Sequence, residues 1–428
     1  MNFKLISNLK YLYRFRRNIS LIGIINAFRF FVRIKNLPQV DILYSCGDNS
    51  RSVFFNDKYH SPLIDSLIFK LNNYSHISIA LPFSKYSGDK TYGNTINLNL
   101  YVIIALLRRF LLSGSILLTS TKKDPLIKFW SKLYQKLNLK IIIGIQPSIE
   151  MCIAAKKNNI KIVDVQHGNI ESRIKGSYYS PHKRMSFNNS GWPDYILCRN
   201  ITSRDKVLRI KDYTQPFLIG NLNKFFYENI YSNDEKIDIF KIRKQTILFT
   251  FQPFYSFTSS GKEEMVNKSS SSKKNMHEGI FFPDALLKLI LESNYNFILK
   301  LHPSQIHNDN LFKSHIKAFD KLFASCNNVD YTICNQRPLE FSLANSDIHI
   351  TFNSASVFDA YDYGLKTILM DDNLEKLTML FEELMDSGFI IVDPNLEINF
   401  SKHFEKIKKS NNKDVFNNFE DFIAKNII

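Results

Sequence analysis

Three short polar clusters each follow an apolar run, and all three carry side chains able to do chemistry. Gln166-His167-Gly168 ends the run 162–165, His302-Pro303 ends 296–301, and Asn353-Ser354-Ala355-Ser356, with Asp359 beyond it, ends 348–352. An imidazole takes up and returns a proton near neutral pH. A strand that turns into a helix presents unpaired backbone N–H groups carrying partial positive charge, so the third cluster can hold a phosphate, with Asn and Ser adding donors. Plain capping explains the same turn, because Ser356 with Asp359 three residues on fits a capping box; both readings stay open at this point. Proline cannot continue a strand ladder and restricts the residue before it, so His302 is held extended at its strand end. Gln252-Pro253 closes the run from Thr246 in the same way. Asp164 precedes His167 by three residues, a spacing that puts their side chains on opposite faces of a strand. The irregular stretch 169–194, with Arg173 and Lys175, has the basic character an anionic or sugar substrate needs; a solvated surface loop is the plain alternative.

The elements that position these clusters read as strands at 40–45, 76–81, 115–119, 141–145, 162–165, 194–198 and 217–221. A second series lies at 246–251, 296–301, 329–333, 348–352 and 366–370. Stretches long enough for helices separate them, which predicts parallel sheets with helical crossovers. Polar residues then gather at the carboxyl ends of the strands, the edge where open α/β sheets bind ligands. Neither G-x-G-x-x-G nor G-x-x-x-x-G-K-S/T occurs, so the dinucleotide fingerprint and the phosphate-binding P-loop are both missing. The expected organisation is a basic segment 1–36, a first domain 37–240, a second domain 241–398 and a helical tail 399–428. Residues 256–275, rich in Ser and Lys, read as an insertion.

At 428 residues the chain is long enough for two cores, and its 44% hydrophobic and 22% charged content is that of a globular protein. Cys46, Cys152, Cys198, Cys326 and Cys334 are scattered, with no C-x-x-C, which argues against a zinc site or a disulfide framework and fits a reducing cytoplasm. Lys4, Lys10, Arg14, Arg16, Arg17, Arg29, Arg33 and Lys35 give residues 1–36 half of the +16 net charge, with no acidic residue among them. Tyr11, Phe15, Ile22, Phe28 and Phe31 are interleaved with these cations. That combination favours a membrane surface over nucleic acid as the partner, with two ordinary surface helices of the first domain as the plain alternative. Residues 99–119 are apolar enough to suggest a span, but Arg108 and Arg109 at their centre predict a buried helix and then a strand. No convincing secretory signal is present, and the expected location is cytoplasmic, peripheral on the inner face of the membrane.

Taken in order, Gln166-His167-Gly168, Gln252-Pro253, His302-Pro303, Pro338 to Ala344, Asn353 to Ser356 and Asp359 to Gly364 resemble the GT-B glycosyltransferases that build bacterial capsules, lipopolysaccharide and teichoic acids. The resemblance implies an α/β fold of two Rossmann-like doubly wound domains facing a cleft. It places a nucleotide-sugar donor on Gln252, His302, Asn353, Ser354, Ser356 and Asp359. It makes His167 the general base, with Gln166, Gly168, Arg173 and Lys175 on the side of a lipid-linked glycan acceptor. Asp359 stands where this group usually has Glu, and Asn353 where serine is common. No cofactor is implied. No D-x-D follows a strand, so metal dependence is not expected either. A polyol-phosphate transferase of the teichoic acid type would use the same histidines. A nucleotide-sugar epimerase would need several carboxylates at the first domain's strand ends, which offer mainly Asp48 and Glu150. A non-enzymatic membrane-binding protein would explain the basic terminus but not the polar strand ends. His349 and His182 read as structural.

Overall fold

The computed structural model describes residues 33–47, 51, 53–80, 90–93, 95–115, 123–167, 170, 190–209, 212–231, 239–242, 244–252, 255–257, 263–265, 276–277, 280–306, 309–404 and 419–425. The chain divides into two compact units, Met1–Phe226 with Asn412–Ile428 and Tyr227–Asn411. Among the described residues no helix is long and apolar enough to cross a membrane.

The first unit is built on a seven-stranded sheet. From edge to edge it runs Ile96–Asn97, His76–Ala80, Ile42–Cys46, Ile141–Gly144, Lys161–Val165, Tyr195–Cys198 and Gln215–Leu218. Every pairing is parallel. Ile42–Cys46 and Ile141–Gly144 are buried along their whole length, as strands covered on both faces must be. The chain winds outward from Ile42–Cys46 to one edge and then returns to fill the other side, so the strand order reverses between these two strands. Gly144 lies at that reversal, where a Cβ would stand 3.2 Å from the Ser45 carbonyl oxygen. Residues 419–425 form a helix that brings Phe419 and Ile423 back into this unit's core beside Leu197 and Leu222.

The helix Asn99–Ser113 departs from expectation. It buries Val102, Ala105 and Arg109 but leaves Leu107, Leu111 and Leu112 outside, so only one of its faces belongs to the core. Of the strand expected after it at 115–119, residues 116–119 lie outside the described residues. Arg109 enters the core because partners await it. Its Nε lies 2.7 Å from Asp124 Oδ2, and Nη2 is 2.8 Å from Asp124 Oδ1 and 2.9 Å from Glu150 Oε1. Asp124 also caps the helix Pro125–Leu137 by accepting from the Leu126 and Ile127 amides.

The second unit repeats the architecture in six parallel strands: Val329–Asp330, Asn296–Lys300, Thr246–Thr250, Ile348–Thr351, Lys366–Leu369 and Ile390–Val392. Its reversal falls between Thr246–Thr250 and Ile348–Thr351. A phenylalanine-rich core, with Phe249, Phe251, Phe282, Phe319 and Phe323, fills one face of the sheet. At the start of the expected insertion, Tyr255–Phe257 pairs antiparallel with Glu263–Met265.

Removing one partner from a buried ion pair strands the other charge. Asp124→Ala is therefore expected to cost about 3–5 kcal/mol, cap included. Urea unfolding of the variant beside the wild type measures it, and a loss below about 1 kcal/mol would show that the Arg109 cluster contributes little.

Candidate functional site

Thr250 and Thr351 end the two strands at the second unit's reversal, and Thr351 Oγ1 donates to the Thr250 carbonyl oxygen at 3.1 Å. Just inside lies His349, fully buried. Its Nε2 is 3.0 Å from Thr250 Oγ1 and 3.4 Å from Ser356 Oγ, and its Nδ1 is 3.0 Å from Thr367 Oγ1. Thr250 and Ser356 are themselves 3.1 Å apart. One ring thereby ties three adjacent strands to the helix Ser356–Asp362, the structural role read for it in the sequence. Burial pushes its pKa down to about 3, so the ring is neutral.

The turn above this knot differs in detail from a capping box. The helix begins at Ser356 after Ala355, and Ser354 Oγ accepts from the Ser356 amide at 3.2 Å. The Ser356 hydroxyl faces inward onto Thr250 and His349, while Asn353 and Ser354 stay half-buried at the rim. The Asn353 side-chain amide donates to the Asp371 carboxylate. Asp359 is buried on the helix's inner side. Burial, followed by Glu340, Glu228, Tyr227 and Asp359, pushes the Tyr363 phenol pKa up.

His302 is carried by a strand end that other side chains lock. Lys300 is buried, and its Nζ donates to the carbonyl oxygens of Cys334 at 2.6 Å and Arg337 at 2.5 Å. Burial draws its pKa down, against the opposing pull of Cys334, Glu340 and Asp330. Asn335 Oδ1 accepts from the Leu301 amide at 2.8 Å, and its Nδ2 donates to Leu299 and Tyr331. The His302 amide donates to Gln305 Oε1 at 2.9 Å. Thr250 pairs with Lys300 across the sheet, and the Phe251 amide bonds the Lys300 carbonyl oxygen, so Gln252 and His302 leave adjacent strands at the same edge. Gln252, His302, Asn353 and Ser354 thus gather at one carboxyl edge of one sheet. Lys300, Asn335 and Gln305 are the supporting residues that sequence reasoning missed. Only Lys300, a cation closing an apolar strand, left a trace.

In the first unit, Asp164 holds the turn after the neighbouring strand. Its buried Oδ1 accepts from the amide of Gln146, a residue at φ 54°, at 2.9 Å. Gln166 fastens its own strand end: Nε2 donates to Ser203 Oγ at 2.8 Å, and Oε1 accepts from the Arg199 amide at 2.8 Å. His167 follows this anchor and is exposed. Gly168, Arg173, Lys175, His182 and Asp48 lie outside the described residues. Glu150 is engaged with Arg109.

No family model and no curated protein matches the chain. Solved structures do. The wall teichoic acid polymerase TagF, in two single-histidine variants, aligns over 99% of this chain and 97% of its own, with 14% identity and TM-scores of 0.52 and 0.50. The fold is GT-B. UDP-GlcNAc 2-epimerase from Methanocaldococcus jannaschii aligns over 90% of this chain and 99% of its own, with 14% identity and a TM-score of 0.49.

The buried histidine makes stability depend on pH. Its pKa is about 3 in the fold against the ordinary histidine value of 6.5. Between these values the unfolded chain binds a proton that the folded chain refuses, so stability falls as pH drops. From pH 6.5 to 5 this one group is expected to remove about 2 kcal/mol. His349→Asn should start less stable at pH 7 and lose correspondingly less on acidification. Urea midpoints at pH 7 and pH 5 compare the two, and equal losses would contradict the assignment.

Proposed function

We propose that the chain is a glycosyltransferase that moves a sugar from a nucleotide-sugar donor to a growing bacterial surface glycan such as a capsule, O-antigen or lipooligosaccharide. The observation that carries this reading is the gathering of Gln252, His302, Asn353 and Ser354 at the reversal of a GT-B fold's second sheet. Ligands bind open α/β sheets at that place. His302, Asn353 and Ser354 contact the donor phosphates, and Ser356 supports the turn from beneath. Asp359 and Gln252 contact the sugar or nucleoside.

His167 takes the proton from the acceptor hydroxyl as its oxygen forms a bond to the donor's anomeric carbon. The bond from that carbon to the phosphate oxygen breaks, and the nucleotide leaves with the electron pair. Hydrogen bonds from the second domain's turn stabilise the charge on the leaving phosphate, with no metal required. Gln166, Gly168, Arg173 and Lys175 lie on the acceptor side, and the acceptor is lipid-linked or membrane-bound. The basic segment 1–36 holds the protein on the inner face of the membrane, and nucleic acid is not a partner.

A second reading is polyol-phosphate transfer. The TagF alignment, which runs along nearly the whole chain, favours keeping it. His167 would again take the acceptor hydroxyl's proton; the hydroxyl oxygen then bonds to the polyol-bearing phosphorus as that atom's bond to the bridging oxygen breaks, and the nucleoside monophosphate leaves with the electron pair.

Thermal-shift measurements with cytidine and uridine nucleotides, their sugar conjugates and CDP-polyols test both readings. The expected result is stabilisation by one nucleotide class that His302→Ala loses. Once a donor is found, His167→Ala should keep its nucleotide shift and lose about 10²–10⁴-fold in kcat, the usual contribution of a general base. No shift with any nucleotide would count against both, and a response confined to CDP-polyols would select the second.

A further inference from the structure

We propose that the outer face of the helix Asn99–Ser113 docks on an anionic lipid surface. Its inner face is spent on the core through Val102, Ala105 and Arg109. The opposite arc carries Ile104, Leu107 and Leu111, exposed by 40, 57 and 82% respectively, with Phe110 and Leu112 exposed to either side of it at 42 and 76%. Positions 104, 107, 108 and 111 follow the spacing of one helical face. Scattered exposed leucines are ordinary on a soluble protein, whereas a contiguous apolar face marks an interaction site.

The charges around this face select the partner. The helix contains no acidic residue. Among the described residues, the carboxylates paired with this helix are Asp124 and Glu150, both bound to Arg109 on the inner side. Arg108 is exposed within the apolar arc. An apolar face that carries a cation suits the boundary between acyl chains and anionic headgroups, where an arginine lays its stem along the apolar surface and keeps its head in the polar layer. A second protein copy presenting the same face would set Arg108 near its own equivalent without a counter-charge. This inference rests on a different observation from the basic segment 1–36 and does not depend on which group is transferred.

The test is co-sedimentation of the full chain with phosphatidylethanolamine vesicles, with and without phosphatidylglycerol. Leu107→Asp combined with Leu111→Asp should lower binding to the phosphatidylglycerol vesicles by about tenfold or more. Arg108→Glu should lower it several-fold at low salt and less at high salt. All three side chains are exposed, so circular dichroism and the thermal midpoint should match wild type. Deleting residues 1–32 should leave a residual binding that the leucine substitutions abolish. Failure of the wild type to bind, or unchanged binding by the leucine variant, overturns the proposal. So does a wild-type dimer that the leucine substitutions dissociate while vesicle binding persists, since the face would then belong to a second copy.

Discussion

A polar side chain enclosed within a parallel sheet has no water to turn to, so its hydrogen bonds must be found among neighbouring strands. In the second unit His349 meets this constraint by engaging Thr250, Thr367 and Ser356 together. The arrangement fixes more than the ring. Ser356 is the first residue of its helix, so holding its hydroxyl also holds the turn that precedes it. Asn353 and Ser354 are displayed at the rim because the residue after them is bound below it. The first unit solves the same problem with fewer atoms: Asp164 holds the Gln146 backbone, and Gln166 bridges Arg199 and Ser203.

Strand order decides where such turns are useful. In each unit the chain starts at a central strand, winds to one edge and returns to wind the other way. At the reversal the connections leave in opposite directions, and the carboxyl ends of the two central strands are left between them. Polar residues placed there leave the packed faces mainly apolar, and the polar side chains that do enter them, such as His349 and Asp164, find hydrogen-bond partners there. The GT-B fold uses this device twice, and polar clusters met in the sequence fall at or beside those edges.

Much of the fold was legible because buried parallel strands announce themselves as short apolar runs bounded by Pro, Gly and polar residues. Asn296–Lys300 running into His302-Pro303 is the clearest case. The site was legible only at its rim. A capping-box spacing pointed Ser356 toward its own helix, but a buried histidine competes for the same hydroxyl and prevails. Asn335 locks a strand 36 residues away, a contact no local pattern encodes. The helix Asn99–Ser113 failed differently: when nearly every position is apolar, periodicity cannot say which face is buried.

The paired arginines of that helix show what composition hides. Adjacent helical residues point about 100° apart, so Arg108 and Arg109 cannot share an environment. Arg109 is tolerated in the core only because Asp124 and Glu150 meet it, and those two residues come from separate segments that the fold must first bring together. Arg108 needs no partner because it stays outside. Read as one charged interruption, the pair argues only against a membrane span. Resolved into an inward and an outward charge, it sets the helix's rotation about its axis. Arg109 turned inward commits one stripe to the core, and the leucines on the opposite stripe are then left facing out.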